Sequence, residues 1–370
     1  MMERYFDTVI IGAGPAGASC GITLQKSGAS NCVIDKAVFP RHKTCAGLVT
    51  NKTLRLINKL LPDRDNSALF CDESRKIRLF QKTEPLAEGS SEHTIHITKR
   101  AVFDNALVTE YQFLGGTLLQ GEKNVSVDEK NNRVLLSDGT AINYKTLVFA
   151  DGAFSLSRKL PKADKPKLGF GIEVFVSKEI YSTDSIDLHF DYMKDGYVWV
   201  FPHGDTVCVG AGCNFVRDTD FRETFNKILS DMGIDAKDLK FNGAFFPYGN
   251  IPNQKKLPGN ILLAGDAGGF ADPISGEGLY MALQTGIYAA EAALTADPPK
   301  NYLGAIEPFE RNIKDGKHVQ NLFYSPAIYK TVMKKLKGND RIVSFYFNNA
   351  VNECRYEYRD LRKLRKDYRS

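Results

Sequence analysis

Three glycines near the start of the chain have the spacing of a phosphate-binding turn. Residues 9–17 read VIIGAGPAG, with Gly12, Gly14 and Gly17 in the order G-x-G-x-x-G. In such a motif the first glycine permits a tight turn, the second lets the backbone approach a pyrophosphate, and the third lets helix and strand pack closely. The pattern predicts a dinucleotide site, but the glycines alone leave open whether the dinucleotide is a nicotinamide cofactor or a flavin.

The residues around this turn predict a βαβ unit. The apolar, β-branched residues 7–11 are typical of a buried strand, residues 15–27 of a helix, and residues 32–35 of the next strand. The amino end of that helix offers free N–H groups to phosphates. Asp35 ends the second strand, where we expect its carboxylate to accept the ribose hydroxyls.

Two later segments place an acidic residue at the end of an apolar strand. Residues 147–158 read LVFADGAFSLSR and include Asp151; residues 260–278 read NILLAGDAGGFADPISGEG and include Asp266. A helix is expected over about 278–295, and its positive end would stabilise negative charge on a reduced flavin. Each aspartate alone is explained equally well as an ordinary turn residue, but together with the first motif they favour a flavin.

These three motifs, in this order, resemble the flavin-dependent hydroxylase and reductase superfamily built on the p-hydroxybenzoate hydroxylase fold. The resemblance covers most of residues 5–310. It implies tightly bound FAD and an α/β fold, in which a Rossmann-like FAD-binding domain contains an inserted antiparallel-sheet substrate domain. No second glycine-rich βαβ unit follows in the sequence, which agrees with the absence of a separate nicotinamide domain.

The motifs divide the chain into three predicted parts. The parts are a discontinuous FAD-binding domain, a substrate-binding sheet domain inserted between its segments, and a helical, basic C-terminal region. Their expected ranges are 1–74, 99–164 and 251–310 for the FAD-binding domain, 75–98 and 165–250 for the sheet domain, and 311–370 for the C-terminal region.

The resemblance also assigns residues to the cofactor. Residues 39–47, FPRHKTCAG, are similar to a superfamily segment PR-x-K-x-C-x-G, which implies that Arg41 touches FAD and that Cys45 borders the flavin ring. Arg100 begins a segment similar to R-x-x-F-D-x-x-L. A buried filler role for Cys45 and a solvated surface role for the two arginines remain open. The expected FAD-binding residues are Gly12, Gly14, Pro15, Ala16, Gly17, Asp35, Lys36, Arg41, Cys45, Ala46, Gly47, Arg100, Val125, Asp151, Gly152, Gly265, Asp266, Gly276 and Gly278.

An aromatic strand is the candidate substrate pocket. Residues 196–203 read GYVWVFPH, and the alternating Tyr197, Trp199 and Phe201 would share one face of a strand. That face would form an apolar wall, although a face packed into an ordinary core is the other interpretation. With Pro202 the segment resembles the Y-x-W-x-F-P motif of the geranylgeranyl reductase family, flavoproteins that saturate isoprenoid chains; flavin-dependent halogenases carry a related motif.

The geranylgeranyl reductase resemblance implies reduction of a C=C bond in a lipophilic substrate. Reduced flavin would give hydride to one carbon and an acid would protonate the other, with Cys45 as the expected donor and Tyr197 or a water behind it. The electron donor would be NAD(P)H or ferredoxin. Two alternatives remain open: an FAD monooxygenase acting on an aromatic or polyketide-like substrate, and a flavoprotein that passes electrons to a partner or quinone.

Composition limits the other classes. A net charge of +5 over 370 residues is too small to indicate nucleic-acid binding, and the seven cysteines lack metal-site spacing. No signal peptide and no apolar run of ~18 residues is evident, so we expect a cytoplasmic protein. Basic residues interleaved with aromatics at 329–341 and 355–370 are compatible with peripheral membrane contact or with a solvated helical tail.

Overall fold

The computed structural model describes residues 3–165, 167–214 and 220–352. The strands are β1 (Glu3–Ile11), β2 (Asn31–Asp35), β3 (Leu48–Val49), β4 (Phe70–Gln81), β5 (Glu84–Thr98), β6 (Thr117–Gln120), β7 (Ser126–Asp128), β8 (Arg133–Leu135), β9 (Ala141–Phe149), β10 (Leu168–Ser177), β11 (Ile186–Phe190), β12 (Gly196–His203), β13 (Thr206–Asn214), β14 (Asn242–Pro247) and β15 (Ile261–Leu263). The helices are α1 (Pro15–Lys26), α2 (Asn51–Leu60), α3 (Arg100–Phe113), α4 (Phe221–Asp231), α5 (Leu279–Ala293), α6 (Pro298–Phe323), α7 (Pro326–Leu336) and α8 (Asp340–Asn352).

The first sheet has a parallel centre that is buried on both sides. Its strands lie in the order β6-β2-β1-β9-β8-β7, and β15 pairs with β9. Ile10 of β1 packs with the helices α1, α3 and α5, whereas its neighbours Val9 and Ile11 pack in a second cluster on the opposite face. The run of β-branched residues at 7–11 therefore folds as predicted, because both of its faces are covered.

Helix α1 packs closely against α5. A Cβ added at Gly286 of α5 would lie 2.1 Å from the carbonyl oxygen of Ala16, so only glycine permits this approach. The turn after β15 joins the contact, since a Cβ added at Gly265 would lie 3.0 Å from the Cβ of Ala16. The start of α1 and the loop that leads into α5 are thereby held side by side.

The second sheet has the order β14-β10-β13-β12-β11-β4-β5-β3. Its neighbours are antiparallel except β4 and β11, which run parallel. These two strands come from separate stretches of the chain, and the connection between them passes through the first sheet rather than through a hairpin. The second sheet also includes β3, and its strand β4 begins at Phe70, before the predicted start of the sheet domain at residue 75. The domain boundaries stay a prediction.

The two faces of the second sheet have different partners. One face packs its valines against α4 in a cluster that includes Val198, Val200 and Phe225. The other face, which we call the inner face, carries Tyr197, Trp199 and Phe201. The alternation in β12 thus separates the two sets as the sequence predicts, and we call these three aromatic residues the aromatic wall.

The C-terminal helices cover the β4–β5 part of the second sheet. Met333 of α7 and Val343 of α8 pack with Ile77, Leu79 and Leu86. None of the helices in the described ranges combines the length and hydropathy that crossing a bilayer requires. The predicted basic tail at 355–370 lies outside the described residues.

Candidate active site

The glycine turn leaves an open approach to the start of α1. Gly12 has a φ of +103°, and a Cβ there would lie 2.4 Å from the carbonyl oxygen of Ala150. A Cβ at Gly17 would lie 1.7 Å from the carbonyl oxygen of Gly12, so this glycine is required for packing. At Gly14 an added Cβ would meet only Arg41 Nη2, at 3.5 Å. The first and third glycines therefore shape the turn, and the second faces open space beside a cation.

Asp35 fixes the turn on which the dinucleotide would lie. Its Oδ2 accepts the Ala13 N–H at 2.6 Å, and its Oδ1 accepts the Ala37 N–H at 2.7 Å. Each carboxylate oxygen has a second lone pair for a ribose hydroxyl. The Glu122 N–H donates to the Asp35 carbonyl, which holds the segment leading to Val125 against the end of β2. The position suits recognition of the adenosine half of FAD.

Two arginines share one buried aspartate next to Gly14. Arg100 donates to Asp104 through Nε and Nη2 at 2.7 and 2.8 Å, and Arg41 Nη2 lies 3.2 Å from the same carboxylate. The Asp104 side chain is fully buried. Two guanidinium groups against one carboxylate leave an excess positive charge at the start of α1, which fits a pyrophosphate.

Asp151 holds a buried oxygen without a partner. Its Oδ2 accepts the Leu156 N–H at 2.7 Å, while Oδ1 is buried and has no hydrogen-bond partner among the described residues. Burial raises the pKa of this carboxyl. Its backbone lies against Gly12, and Gly152 follows with a φ of +85°. An unpaired buried acceptor at the edge of the glycine turn fits a ligand that brings hydroxyl donors.

Asp266 lies at the amino end of α5. A Cβ added to Gly278, the residue that caps α5, would lie 3.6 Å from Asp266 Oδ1. Gly265 has a φ of +57°, and its N–H donates to Thr285 Oγ1 at 2.9 Å. Burial raises the pKa of Asp266, and the nearby cation Lys43 opposes that shift. The helix dipole and this carboxylate therefore face one space, as expected for a flavin-binding corner.

The loop between β15 and α5 is held in place by side chains. Asp272 accepts the N–H and hydroxyl of Ser275 at 2.6 and 2.8 Å. Glu277 forms a buried salt bridge of 2.6 Å with Lys52 of α2. The Tyr197 hydroxyl donates to the Ser275 carbonyl, so the loop is tied directly to the aromatic wall.

The aromatic wall rests on glycines of the neighbouring strand. Trp199 lies opposite Gly210 of β13, and Gly210 lies opposite Glu173 of β10. A Cβ added at Gly210 would lie 2.3 Å from the indole of Trp199, and one added at Gly212 would lie 3.3 Å from it. The indole therefore fills a hollow in the inner face, with Glu173 in the same cross-strand row.

The loop of residues 45–47, which we call the 45–47 loop, meets this inner face. The Cys45 N–H donates to Glu173 Oε1 at 3.2 Å. Ala46 packs in the cluster that contains Trp199. The Arg100 guanidinium lies near the Cys45 side chain. Residues predicted for the flavin edge and for the substrate pocket thus pack in one cluster.

Glu173 is the site residue that sequence reasoning missed. It is fully buried, and burial raises its pKa to about 7. Its Oε2 lies 3.9 Å from Cys208 Sγ. The only signal in the sequence is one acidic residue within the otherwise apolar strand segment GIEVFV. A lone buried carboxyl in such a strand needs a reason to be there.

The structure gathers most of the predicted site residues around one cleft between the sheets. Three predicted residues are exceptions. Strand alternation puts Pro202 on the α4 face with Val198 and Val200, and Val125 packs against the second cluster of the first sheet. Lys36 is exposed at the surface beyond Asp35. The residues placed along the cleft are Gly12, Gly14, Pro15, Ala16, Gly17, Asp35, Arg41, Cys45, Ala46, Gly47, Arg100, Asp151, Gly152, Tyr197, Trp199, Phe201, Gly265, Asp266, Gly276 and Gly278.

Comparison with known proteins identifies relatives of the same architecture. Residues 6–213 match the pyridine nucleotide-disulphide oxidoreductase family. A digeranylgeranylglycerophospholipid reductase of Methanococcus vannielii is 24% identical over 92% of this chain and 89% of its own length. A geranylgeranyl diphosphate reductase of Rhodobacter capsulatus is 27% identical over 78% of this chain and 75% of its own length.

A solved structure has the same fold. The geranylgeranyl bacteriochlorophyll reductase-like protein of Thermoplasma acidophilum superimposes with a TM-score of 0.72 at 18% identity, covering 87% of this chain and 88% of that chain. At this identity the match speaks for the fold alone. It confirms the predicted α/β architecture, in which a Rossmann-like domain carries an inserted sheet.

Proposed function

The chain belongs to the pyridine nucleotide-disulphide oxidoreductase family, and from this premise we propose that it reduces C=C bonds in the isoprenoid chain of a lipophilic substrate. It is an oxidoreductase, and its cofactor is FAD. Relatives named as isoprenoid reductases, with 24–27% identity over 78–92% of the chain, support this substrate class. Reduced FAD supplies the hydride for such a reaction.

One observation carries the proposal: the aromatic wall faces the 45–47 loop. Trp199 and Ala46 pack in one apolar cluster, and Tyr197 is bonded to the loop that enters α5. A substrate held on this wall would lie between the sheet and the predicted flavin edge. The residues there offer apolar and aromatic surface rather than a set of polar groups that would select a hydrophilic molecule.

The residues of the cleft divide the binding work. Under this proposal, the start of α1 with Arg41 and Arg100 binds the pyrophosphate, and Asp35 binds the ribose. Asp266 at the start of α5 binds the flavin side. The Lys52–Glu277 salt bridge fixes the shape of the loop between β15 and α5, which would help to exclude water from the bound flavin.

A series of aromatic rings extends from the wall toward the C-terminal helices. Ring centroids lie 6.2 Å apart between Trp199 and Tyr197, 6.4 Å between Tyr197 and Phe190, and 6.3 Å between Phe190 and Phe323. Phe323 then lies 5.3 Å from Tyr329 of α7. An unbroken series of packed rings offers an extended apolar surface, which suits a long hydrocarbon chain better than a compact aromatic substrate.

The end of this series lies beside a basic surface. Lys330, Lys334, Lys335 and Lys337, on α7 and just after it, are exposed. Cationic side chains on the helix that carries the end of this aromatic series favour contact with anionic lipid. We therefore include peripheral membrane contact through α7 in the proposed function.

Anaerobic reoxidation tests the reaction. The FAD-loaded protein is reduced with dithionite and mixed, without oxygen, with geranylgeranyl diphosphate or with a geranylgeranyl glycerolipid in detergent micelles. Flavin reoxidation together with the gain of two hydrogen atoms per double bond, measured by mass spectrometry, is the expected result. NAD(P)H and reduced ferredoxin are then compared as electron donors.

A second outcome would replace the proposal. If neither lipid reoxidises the flavin, and oxygen instead produces a product that gains one oxygen atom from an aromatic or polyketide-like compound, the chain is a monooxygenase. Reoxidation by a quinone without any change in either lipid would favour electron transfer to a partner.

A further inference from the structure

We propose that Glu173 is the acid that supplies the proton of the reduction. This inference rests on the proposed alkene reduction. It names the group that delivers the proton, which hydride transfer from the flavin does not provide. Hydride alone would turn an isolated alkene into an unstabilised carbanion, so a proton must reach the other carbon before or together with the hydride. A catalytic acid therefore has to face the cavity.

Glu173 lies beside the aromatic wall and the 45–47 loop, between which the substrate would be held. It lies in one cross-strand row with Gly210 and Trp199, on the inner face that meets the 45–47 loop. Its Oε1 accepts the Cys45 N–H at 3.2 Å. Because Gly210 has no side chain, nothing on β13 separates the carboxyl from the hollow that holds the indole.

The two donors expected from the sequence are less suited. The Tyr197 hydroxyl already donates its proton to the Ser275 carbonyl. Burial raises the pKa of this phenol further from neutrality. Cys45 meets the Glu173 carboxylate through its backbone N–H, and its side chain lies near the Arg100 guanidinium.

The surroundings of Glu173 suit both protonation states that a donor passes through. Burial holds its pKa at about 7, so a large fraction of the carboxyl is protonated at neutral pH. The carboxylate left behind is stabilised by the Cys45 N–H and by the charges of Lys43 and Arg100; Cys208 of β13 is the remaining titratable neighbour.

The proton balance of the step is closed. The O–H bond of Glu173 breaks and a C–H bond forms at one alkene carbon, while the hydride of reduced FAD forms the second C–H bond. The alkene gains two electrons, which FAD loses. The Glu173 carboxylate then takes a proton from water before the next turnover.

Single-turnover kinetics test the proposal. Reduced, FAD-loaded wild type and Glu173→Gln are mixed anaerobically with whichever geranylgeranyl probe wild type reduces. In wild type the rate should fall as pH rises through about 7, because only the protonated carboxyl donates. In Glu173→Gln the rate should fall by roughly 100-fold or more at pH 6 and lose this pH limb. Reoxidation by ferricyanide, which needs no proton from the protein, should be unchanged.

A spectroscopic readout does not depend on turnover. In the infrared difference spectrum of oxidised, FAD-loaded wild type minus Glu173→Gln, the carbonyl stretch of one protonated carboxyl group should be present at low pH and vanish as pH rises through about 7; the buried carboxyls of Asp151 and Asp266 are common to both proteins and cancel. Glu179→Gln is the matched control, since Glu179 is an exposed carboxyl just beyond the same strand. Glutamine retains an acceptor for the Cys45 N–H, so the fold is preserved.

Three results would overturn the inference. Equal rates and equal pH profiles for wild type and Glu173→Gln would remove Glu173 while leaving alkene reduction intact. A carboxyl that titrates near the ordinary glutamate pKa of about 4.3 would show that the proton is not held at neutral pH. If wild type itself reduces neither probe, the proposed function fails, and the donor role fails with it.

Discussion

The indole of Trp199 lies across Gly210 of the neighbouring strand, so closely that an added Cβ would stand 2.3 Å from the ring. Register pairs these two residues directly. The aromatic wall therefore depends on a glycine in β13 as much as on the aromatic residues of β12. This relationship fixes how deeply the indole is seated, and so sets the surface on which the proposed substrate would lie.

Replacing Gly210 with alanine should displace the indole from this hollow. We expect the free energy of unfolding to fall by about 1–3 kcal/mol, as is typical for overpacking of a tight contact. Isoprenoid reduction should fall while FAD content stays unchanged, because the glycine turn that would bind the pyrophosphate belongs to the first sheet and β13 to the second. Urea unfolding, flavin absorbance and anaerobic reoxidation measure the three quantities.

Gly304→Ala is the matched control for this substitution. Gly304 lies in α6, and an added Cβ there meets no atom within 4 Å. Alanine should raise the stability of this helix by roughly 0.5–1 kcal/mol. Equal unfolding free energies for wild type and Gly210→Ala would show that the indole moves without cost and that the aromatic wall does not depend on Gly210.

Local pattern predicted the elements around the cofactor turn well. Helix α1 was predicted at residues 15–27 and spans Pro15–Lys26, while α5 was predicted at about 278–295 and spans Leu279–Ala293. Strand β1 was predicted from residue 7 but starts at Glu3. The residues at its start are mostly exposed and lack the apolar pattern of a buried strand. They form a strand because they pair with β9, beginning with Glu3 opposite Ala141.

The missed parts of the site depend on contacts that cross the chain. Arg100 and Asp104 are four residues apart on one helix, but Arg41 reaches the same carboxylate from a distant loop. Glu173 gains its surroundings from the register of β10 with β13 and from the 45–47 loop. A sequence pattern reports which residues share a face, and it does not report which distant element covers that face.

The three glycines of the first turn should differ in what they do, and alanine substitution separates them. Gly14→Ala adds a Cβ that meets only Arg41 Nη2 at 3.5 Å, so the apoprotein should lose no more than the roughly 1 kcal/mol by which alanine is the poorer N-cap for α1. The methyl group would occupy the space of the pyrophosphate. We expect the Kd for FAD to rise roughly tenfold or more, equal to about 1.4 kcal/mol.

Gly17→Ala, in contrast to Gly14→Ala, should lower the stability of the apoprotein itself. Its Cβ would lie 1.7 Å from the Gly12 carbonyl oxygen, so the helix must move away from the strand. The apoprotein itself should lose about 1–3 kcal/mol of stability. Fluorescence titration with FAD and urea unfolding of both apoproteins provide the comparison, and weaker FAD binding without any stability difference between the two variants would contradict it.

The basic surface of α7 should contribute to binding of anionic membranes. Lys334 and Lys335 are exposed beside the aromatic series, and each lysine near an anionic surface is worth about 1 kcal/mol. Lys334→Ala with Lys335→Ala should therefore weaken sedimentation with phosphatidylglycerol vesicles by about 2 kcal/mol, or roughly thirtyfold. The difference should shrink as salt screens the charges.

Lys227→Ala with Lys237→Ala is the control, because it removes the same charge from exposed positions in and beyond α4, which covers the opposite face of the sheet. Equal losses in the two double variants would mean that net charge alone governs binding, and α7 would have no special role at the lipid surface.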